Sequence, residues 1–167
     1  DQDLFERLLG DGSHLGIKIN YEVQKRAEGL AQAFLIGREF IGSSNVALIL
    51  GDNLFHGETL ENHFVKSQNK NIGATVFAYP VKNPERYGVA NFDNNGNIIS
   101  IEEKPKDPKS KYAITGIYFF DNSVVEKAES IKPSSRGELE ITDLIMIYLK
   151  EKTLNVEKLG SGIAWLD

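Results

Sequence analysis

Runs of apolar residues of strand length recur along the chain and end in polar turn residues. Residues 46–50 are consecutively apolar and stop abruptly at Gly51-Asp52-Asn53. A run this short is typical of a strand buried on both faces of a sheet that helices cover. The other runs that predict strands are residues 73–81, 113–120, 154–159 and 163–166.

Two segments alternate apolar and polar positions instead. Residues 17–23 alternate strictly, which predicts a half-buried strand. Residues 89–92 and 98–101 flank the sequence Asp93-Asn94-Asn95-Gly96. Since Asn-Gly favours a tight turn, these two short strands are expected to form a β-hairpin.

Helical spacing separates these strands along the chain. Apolar residues at intervals of three and four predict helices over residues 4–9, 30–41, 60–70, 124–130 and 142–150, the last capped by Thr142. Because strands and helices alternate, we expect a single α/β domain over residues 1–167. Its central sheet is predicted to be mostly parallel, with helices on both faces and a small hairpin excursion.

Composition narrows the class of protein. An apolar content of 41% with 26% charged residues indicates a globular domain rather than a disordered chain. The net charge of −5, without a basic tract, argues against nucleic-acid binding. No apolar run has the length of a membrane span, and the absence of Cys is compatible with a cytoplasmic location. Because the chain begins with Asp rather than Met, we expect it to be a fragment.

Two aspartates follow predicted strands. Asp52 comes after residues 46–50, and Asp167 ends the apolar segment Ala164-Trp165-Leu166. Ligands bind beyond the carboxyl ends of strands in parallel sheets, and two carboxylates there could converge on a Mg²⁺ ion. The alternative is that Gly51-Asp52-Asn53 is only a turn whose Asp caps the next element. The pattern alone leaves both interpretations open.

Two charged segments could bind a sugar phosphate. Glu103 and Lys104 follow a predicted strand, and carboxylates accept hydrogen bonds from sugar hydroxyls while a lysine suits a phosphate. Arg136 lies in a polar loop and could offer a planar fork to a phosphate. Solvated surface charge is the alternative for both. These features alone indicate an α/β domain that could be a Mg²⁺-dependent phosphate-handling enzyme.

Taken together, the motifs are more specific than any one of them. In chain order they are Val23-Gln24, Glu28-Gly29-Leu30-Ala31-Gln32-Ala33-Phe34, Leu50-Gly51-Asp52-Asn53, Pro84-Glu85-Arg86-Tyr87-Gly88-Val89, Glu102-Glu103-Lys104-Pro105, Thr115-Gly116-Ile117-Tyr118-Phe119, Arg136-Gly137-Glu138-Leu139-Glu140-Ile141-Thr142-Asp143 and Trp165-Leu166-Asp167. This series closely resembles the sugar-phosphate nucleotidyltransferase family over nearly the whole chain. The resemblance implies a Rossmann-like nucleotidyltransferase fold.

The resemblance also implies site residues. Gln24 and Gly29 match the loop that reads the pyrimidine base, while Asp52 and Asp167 match the two carboxylates that hold the catalytic Mg²⁺. The remaining matches line the sugar-phosphate site: Tyr87, Gly88, Glu103, Lys104, Ile114, Gly116, Arg136 and Trp165. Lys104 and Arg136 are the implied catalytic residues, because they hold the phosphate of the nucleophile.

The implied reaction converts dTTP and glucose 1-phosphate into dTDP-glucose and pyrophosphate. The resemblance further implies a homotetrameric intact protein, a role in dTDP-rhamnose synthesis, and neither nucleic-acid nor membrane partners. Uridylyl or cytidylyl transfer is the alternative within the enzyme class. A catalytically inactive binding or regulatory module of the same fold is the alternative outside it.

The sequence departs from the family pattern in three places. The Gly-Gly-x-Gly-Thr-Arg-Leu loop that cradles the triphosphate is absent, as is the region that follows Asp167. Leu144-Ile145 stands where the family tends to continue with Asn. From the missing loop we expect the 167 residues to have little or no turnover.

Overall fold

The computed structural model describes residues 2–70 and 72–167, which form six α-helices and eight β-strands. The helices are α1 (Gln2–Leu9), α2 (Gln32–Ile36), α3 (Arg38–Ile41), α4 (Leu60–Gln68), α5 (Val124–Ser130) and α6 (Ile141–Lys150). The strands are β1 (Val46–Ile49), β2 (Leu54–Gly57), β3 (Ala74–Pro80), β4 (Gly88–Phe92), β5 (Ile98–Glu103), β6 (Tyr112–Phe120), β7 (Leu154–Lys158) and β8 (Ile163–Leu166). The predicted α/β class is confirmed.

Six strands form one mixed sheet in the order β5-β4-β6-β3-β7, with β1 pairing with β6. The β4–β5 hairpin is antiparallel as predicted, and β1, β3 and β4 are each antiparallel to β6. Only β3 and β7 form a parallel pair among the described strands. The prediction of mostly parallel pairing is therefore wrong. The strands β1, β3, β4 and β7 do share one direction, but β6 inserts among them in the opposite direction.

Side-chain alternation on the central strands builds two cores. Ala74, Val76 and Ala78 of β3 face one side and pack with α2, α3, α5 and α6. Phe77 faces the other side, where Phe64 of α4 packs against it. Helices therefore cover both faces of the sheet, as predicted from the sequence.

Strand β1 forms where it was predicted but is not buried on both faces. Val46 and Leu48 pack against the larger core, whereas Ala47 and Ile49 are exposed, Ile49 by 62%. Within the described residues β1 pairs only with β6, so it lies at an edge of the sheet. The face that carries Ala47 and Ile49 is not covered by other described residues.

Three local predictions differ from the structure. Residues 17–23 form no strand within the described chain. The backbone N–H of Ile19 donates to the carbonyl oxygen of Asp11 in the preceding turn and not to a neighbouring strand. The helix predicted over residues 30–41 is interrupted at Gly37, where φ −83° and ψ 9° end α2. Thr142 does not cap α6, because it lies inside the helix and Glu140 occupies the N-cap.

A separate two-stranded sheet pairs β2 with β8 in antiparallel orientation. Strand β2 was not predicted, since its four residues directly follow the Gly51-Asp52-Asn53 turn. We expected Asp52 and Asp167 to follow parallel strands of one sheet. They instead follow β1 and β8, which belong to two different sheets. None of the described helices is long and apolar enough to cross a membrane.

Candidate active site

A cleft of about 190 Å³ opens between the six-stranded sheet and the β2–β8 sheet. Residues from seven separate segments line it, and they are Leu30, Leu50, Arg86, Tyr87, Gly88, Glu103, Lys104, Ile114, Gly116, Tyr118, Ile141, Thr142, Trp165 and Asp167. The residues that the sequence assigned to the sugar-phosphate site are thus brought together, with the exception of Arg136.

Asn53 joins the two predicted metal ligands at the edge of this cleft. Its Nδ2 donates to Oδ1 of Asp52 at 2.9 Å and to Oδ1 of Asp167 at 2.8 Å. Its Oδ1 accepts from the backbone N–H of Gly116 at 2.9 Å and from Nε1 of Trp165 at 2.7 Å. A single amide therefore connects the turn after β1, the end of β8 and the middle of β6.

The donor set at this point suits a hard divalent cation. Carboxylate oxygens are the ligands that Mg²⁺ takes from proteins. Neither Asp52 nor Asp167 forms an ion pair with a Lys, Arg or His side chain of the described chain. Two carboxylates that share one amide nitrogen and have no cationic partner leave a concentrated negative charge. No group of three or more His, Asp or Glu side chains with metal-site geometry occurs among the described residues.

Aromatic rings form one wall of the cleft and fix the end of β8. Trp165 is 8% exposed, and its ring centroid lies 5.3 Å from that of Tyr87 and 5.9 Å from that of Tyr79. Phe55 of β2 stacks on the other side at 6.4 Å. The flat rings of Tyr87 and Trp165 provide an apolar surface of the kind that a sugar ring packs against.

Glu103 is the half-buried acid of the cleft. Burial raises the pKa of Glu103, and the nearby charge of Glu140 raises it further, while a hydrogen bond from Thr142 and the charges of Lys104 and Arg136 lower it. The balance keeps the pKa above its ordinary value. A carboxylate that is incompletely solvated in this way is a strong acceptor for hydroxyl groups of a ligand.

Gly88 is required beside this acid. An added Cβ at Gly88 would lie 2.8 Å from Cγ2 of Thr142 and 3.5 Å from Oε2 of Glu103. Any larger residue would therefore clash with Thr142, while the Glu103 carboxylate would stay at ordinary contact distance.

Lys104 follows Glu103 in a strained backbone conformation. Its φ of 42° lies in the left-handed region, which is uncommon for a residue with a side chain. Its backbone N–H donates to the carbonyl of Tyr87 at 3.0 Å and holds this conformation in place. Strain of this kind clusters at ligand-binding sites, and here it follows β5 at a residue that lines the cleft.

Arg136 does not line the cleft. Its guanidinium forms an ion pair with Glu138 at 2.6 Å and with Glu140 at 3.1 Å, in the loop before α6. Its charge still reaches the cleft, because it is among the groups that lower the pKa of Glu103. The structure thus places Arg136 next to the sugar-phosphate residues but engages it with two acids.

Gln24 and Gly29 do not line the cleft themselves, although the adjacent Leu30 does. Gly29 has φ 100°, and an added Cβ would lie 2.3 Å from the carbonyl oxygen of Leu139, so only glycine fits. Gln24 donates through Nε2 to the Gly29 carbonyl at 3.1 Å and to Oε1 of Gln32 at 2.6 Å. Gln32 in turn donates to Glu28 at 2.6 Å.

Sequence reasoning missed several residues of the site. Asn53 was assigned only to a turn and Thr142 only to a helix cap, and Tyr118 was assigned only to a strand. Burial raises the pKa of Tyr118, and the charges of Glu103 and Asp167 raise it further, so its hydroxyl stays protonated beside two acids. The one signal for Asn53 was its position directly after a strand-end Asp.

Comparison with known proteins agrees with the geometry. The model of a family described as "Nucleotidyl transferase" matches residues 1–167. Curated proteins named glucose-1-phosphate thymidylyltransferase are 57% identical in Neisseria gonorrhoeae and 52% identical in Mycolicibacterium smegmatis, each over 167 residues. Both matches cover 100% of this chain and 58% of the relative, so the chain spans little more than half the length of these proteins.

Solved structures share the fold. A Bacillus anthracis crystal structure described as a glucose-1-phosphate thymidylyltransferase in complex with a sucrose superposes with a TM-score of 0.87 at 42% identity, covering 99% of this chain and 65% of that one. A UDP-glucose pyrophosphorylase complexed with UDP-glucose superposes with a TM-score of 0.74 at 26% identity, covering 95% and 65%. The predicted nucleotidyltransferase fold is confirmed.

Proposed function

Since this chain belongs to the nucleotidyl transferase family, we propose that its whole gene product transfers a thymidylyl group from dTTP to glucose 1-phosphate. A phosphate oxygen of glucose 1-phosphate attacks the α-phosphorus of dTTP in line. The bond from that phosphorus to the oxygen bridging to the β-phosphate breaks, and the products are dTDP-glucose and pyrophosphate. The observation that carries the proposal is that Glu103, Lys104 and Asp167 line one cleft, while the Asn53 amide links Asp167 to Asp52.

The attacking group needs no base from the protein. A phosphate monoester has a second pKa near 6, so glucose 1-phosphate is mostly a dianion at neutral pH. The barrier lies in bringing two anions together and in stabilising charge as the pyrophosphate leaves. Mg²⁺ held by Asp52 and Asp167 would supply the neutralising charge when bound.

The chain's own side chains hold the sugar phosphate. In the proposed complex Glu103 accepts hydrogen bonds from sugar hydroxyls, while Tyr87 and Trp165 pack against the ring. Lys104 contacts the phosphate as a point charge. Arg136 would have to exchange part of its pairing with Glu138 and Glu140 for a phosphate, as a guanidinium fork can do.

The hydrogen bonds around Gln24 favour thymine or uracil over cytosine. The Glu28 carboxylate accepts from the nitrogen of the Gln32 amide, so Gln32 presents its oxygen to Gln24. Gln24 therefore uses its nitrogen inside the loop, and no hydrogen bond within the described residues occupies its carbonyl oxygen. This oxygen can accept from N3–H of thymine or uracil. N3 of cytosine carries no hydrogen, so cytosine could pair with this oxygen only through its N4 amino group. Uridylyl transfer is accordingly the second candidate activity.

Turnover with dTTP, UTP and CTP tests this proposal. We expect the whole gene product to form dTDP-glucose and pyrophosphate in equal amounts, with dTTP or UTP strongly preferred to CTP. Chromatography of the nucleotide sugar and a coupled pyrophosphate assay measure both products. We also expect the 167-residue chain to bind dTDP-glucose, which calorimetry can detect. Failure of the whole gene product to form any nucleotide sugar would refute the proposal.

A further inference from the structure

The amide of Asn53 has only one orientation that satisfies its surroundings. The two groups that face Oδ1, the backbone N–H of Gly116 and the indole N–H of Trp165, can donate but cannot accept. The two groups that face Nδ2 are carboxylate oxygens of Asp52 and Asp167, which accept. Rotating the amide by 180° would break all four hydrogen bonds, so the orientation follows from the partners themselves.

This arrangement brings two like charges to the same point. Asp52 and Asp167 lie 115 positions apart in the sequence and follow strands of different sheets. Two carboxylates in one place repel each other unless positive charge or hydrogen-bond donors offset the repulsion. The two hydrogens of the Asn53 amide supply one donor to each carboxylate, and the described chain offers them no ion pair.

The oxygen side of the Asn53 amide is fixed by packing as well as by hydrogen bonds. A Cβ added to Gly116 would lie 2.4 Å from Oδ1 of Asn53, so the side chain fills the space that Gly116 leaves open on β6. Gly116 is buried in the strand that pairs with both β1 and β3. Asn53 is therefore anchored to the centre of the larger sheet and cannot shift without losing hydrogen bonds.

We propose that Asn53 is a positioning residue that holds Asp52 and Asp167 at one spacing for a divalent cation and couples this site to Trp165. The inference rests on the proposed function, since it takes these carboxylates as the cation ligands. Asn53 acts through the two aspartates. Outer hydrogen-bond partners of metal ligands typically change metal affinity by about 10- to 100-fold when they are removed.

Trp165 gives the proposal a direct readout. It is the only tryptophan of the chain, and its indole nitrogen donates to the same amide that holds both carboxylates. A paramagnetic cation such as Mn²⁺, bound between Asp52 and Asp167, would lie close enough to quench its fluorescence. Mn²⁺ is the probe because it accepts the oxygen ligands that suit Mg²⁺.

The test is a fluorescence titration of the 167-residue chain with Mn²⁺. Asn53→Leu keeps the side-chain volume but removes every hydrogen bond, and we expect it to weaken Mn²⁺ binding by about 10- to 100-fold. Gly116→Ala perturbs the same amide from behind without removing a polar group, and we expect a loss in the same direction. Asp52→Asn should abolish the quenching.

Asn155→Ala is the matched control. Its amide also donates to a carboxylate, that of Glu157 at 3.0 Å, but it lies on β7 away from the cleft. We expect wild-type Mn²⁺ affinity for this variant. Circular dichroism confirms folding, and if Asn53→Leu does not fold, Gly116→Ala carries the test.

The outcomes distinguish the role of Asn53 from the metal site of the proposed function. Quenching that Asp52→Asn abolishes but Asn53→Leu and Gly116→Ala leave unchanged would refute the role of Asn53 and keep the metal site. Quenching that is absent, or insensitive to Asp52→Asn, would refute the metal site of the proposed function and Asn53 with it. In the whole gene product, raising Mg²⁺ should partly restore turnover of Asn53→Leu, which a purely structural defect would not allow.

Discussion

The two sheets of this molecule differ in size and in how deeply their side chains are buried. The six-stranded sheet lies between apolar layers. Val76 and Phe77 of β3 and Leu144 of the covering helix α6 are all fully buried. The β2–β8 sheet has only two strands, and Leu54 and Leu166 on it are 67% and 66% exposed. Ile163 of β8 and Phe55 of β2 pack in one apolar cluster with Phe77 of β3. The aromatic contacts of Trp165 and the hydrogen bonds of Asn53 add to this attachment.

This difference separates stability from function in the chain. Isolated two-stranded sheets are only marginally stable, so β2–β8 keeps its place through contacts with the larger sheet. The β2–β8 sheet also carries Asp167, one of the two proposed cation ligands. We infer that substitutions in the larger core lower the free energy of unfolding, whereas substitutions around Asn53 act mainly on the site.

Asp52→Asn should have the largest effect on activity and almost none on stability. Removing one carboxylate ligand is expected to lower Mg²⁺-dependent turnover of the whole gene product by about 10³-fold, because a bound metal contributes several kcal/mol to transition-state stabilisation. The melting temperature should stay close to that of the wild type, since Asp52 is exposed. Product formation and thermal unfolding are measured on the same preparation. Near-normal turnover would exclude the metal role of Asp52.

Leu144→Ala is the converse experiment. Leu144 of α6 is fully buried in the larger core, so its truncation should cost about 2–5 kcal/mol of the free energy of unfolding. We expect the folded fraction to bind Mn²⁺ with wild-type affinity. Urea denaturation gives the first quantity and quenching of Trp165 the second. A large loss of Mn²⁺ affinity in the folded protein would show that the two regions are not separable.

Trp165→Phe should have a smaller and mixed effect. The substitution keeps an aromatic ring but removes the indole N–H that Asn53 accepts, while Gly116 still donates to the same oxygen. We expect a loss of about 0.5–1.5 kcal/mol in stability. Mn²⁺ affinity, measured by electron paramagnetic resonance because the fluorophore is gone, should fall less than in Asn53→Leu. A greater fall would place the main anchor at Trp165 instead.

Glu103→Gln should give the smallest effect, one that depends on pH. The pKa of Glu103 in the folded protein is raised above its ordinary value of 4.5, first by burial and then by Glu140. Because folding raises the pKa of Glu103, the protonated carboxyl favours the folded state at a pH below its unfolded pKa. This contribution to the free energy of unfolding is lost as the pH rises through the folded pKa and the carboxyl ionises. Glu103→Gln should therefore raise the melting temperature relative to wild type at neutral pH, and the gain should disappear in acid.

Sugar-phosphate binding by this variant supplies the second half of the comparison. Glu103→Gln should bind glucose 1-phosphate more weakly, whereas Glu102→Gln, on the opposite face of β5, should bind it normally. The Glu102 carboxylate accepts from Asn91 at 2.9 Å and does not line the cleft. A gain in stability without loss of binding would remove Glu103 from the sugar site.

Hydrophobic patterning predicted the larger sheet well because burial decides its strands. The runs that became β3 and β6 are apolar at almost every position and are buried on both faces. The alternation of residues 17–23 predicted a strand that did not form, since a pattern cannot supply a pairing partner. The pattern also could not show that β6 would insert between β3 and β4 and reverse the local pairing.

The motifs predicted most cleft residues, but not how they are connected. Tyr87-Gly88 and Glu103-Lys104 are two pairs of adjacent residues, and the β4–β5 hairpin brings the pairs together. Asn53 instead depends on Gly116 and Trp165, which lie 63 and 112 positions away. Contacts at such distances follow from the tertiary fold, so one polar residue in a turn gives no local sign of them.

The most direct test of the account is anomalous diffraction from crystals of this chain soaked in Mn²⁺. We predict one strong anomalous peak within bonding distance of carboxylate oxygens from both Asp52 and Asp167, with the Asn53 amide still bonded to Gly116 and Trp165. The peak should vanish in crystals of Asp52→Asn. A peak elsewhere, or clear density without any peak between the two aspartates, would contradict the account.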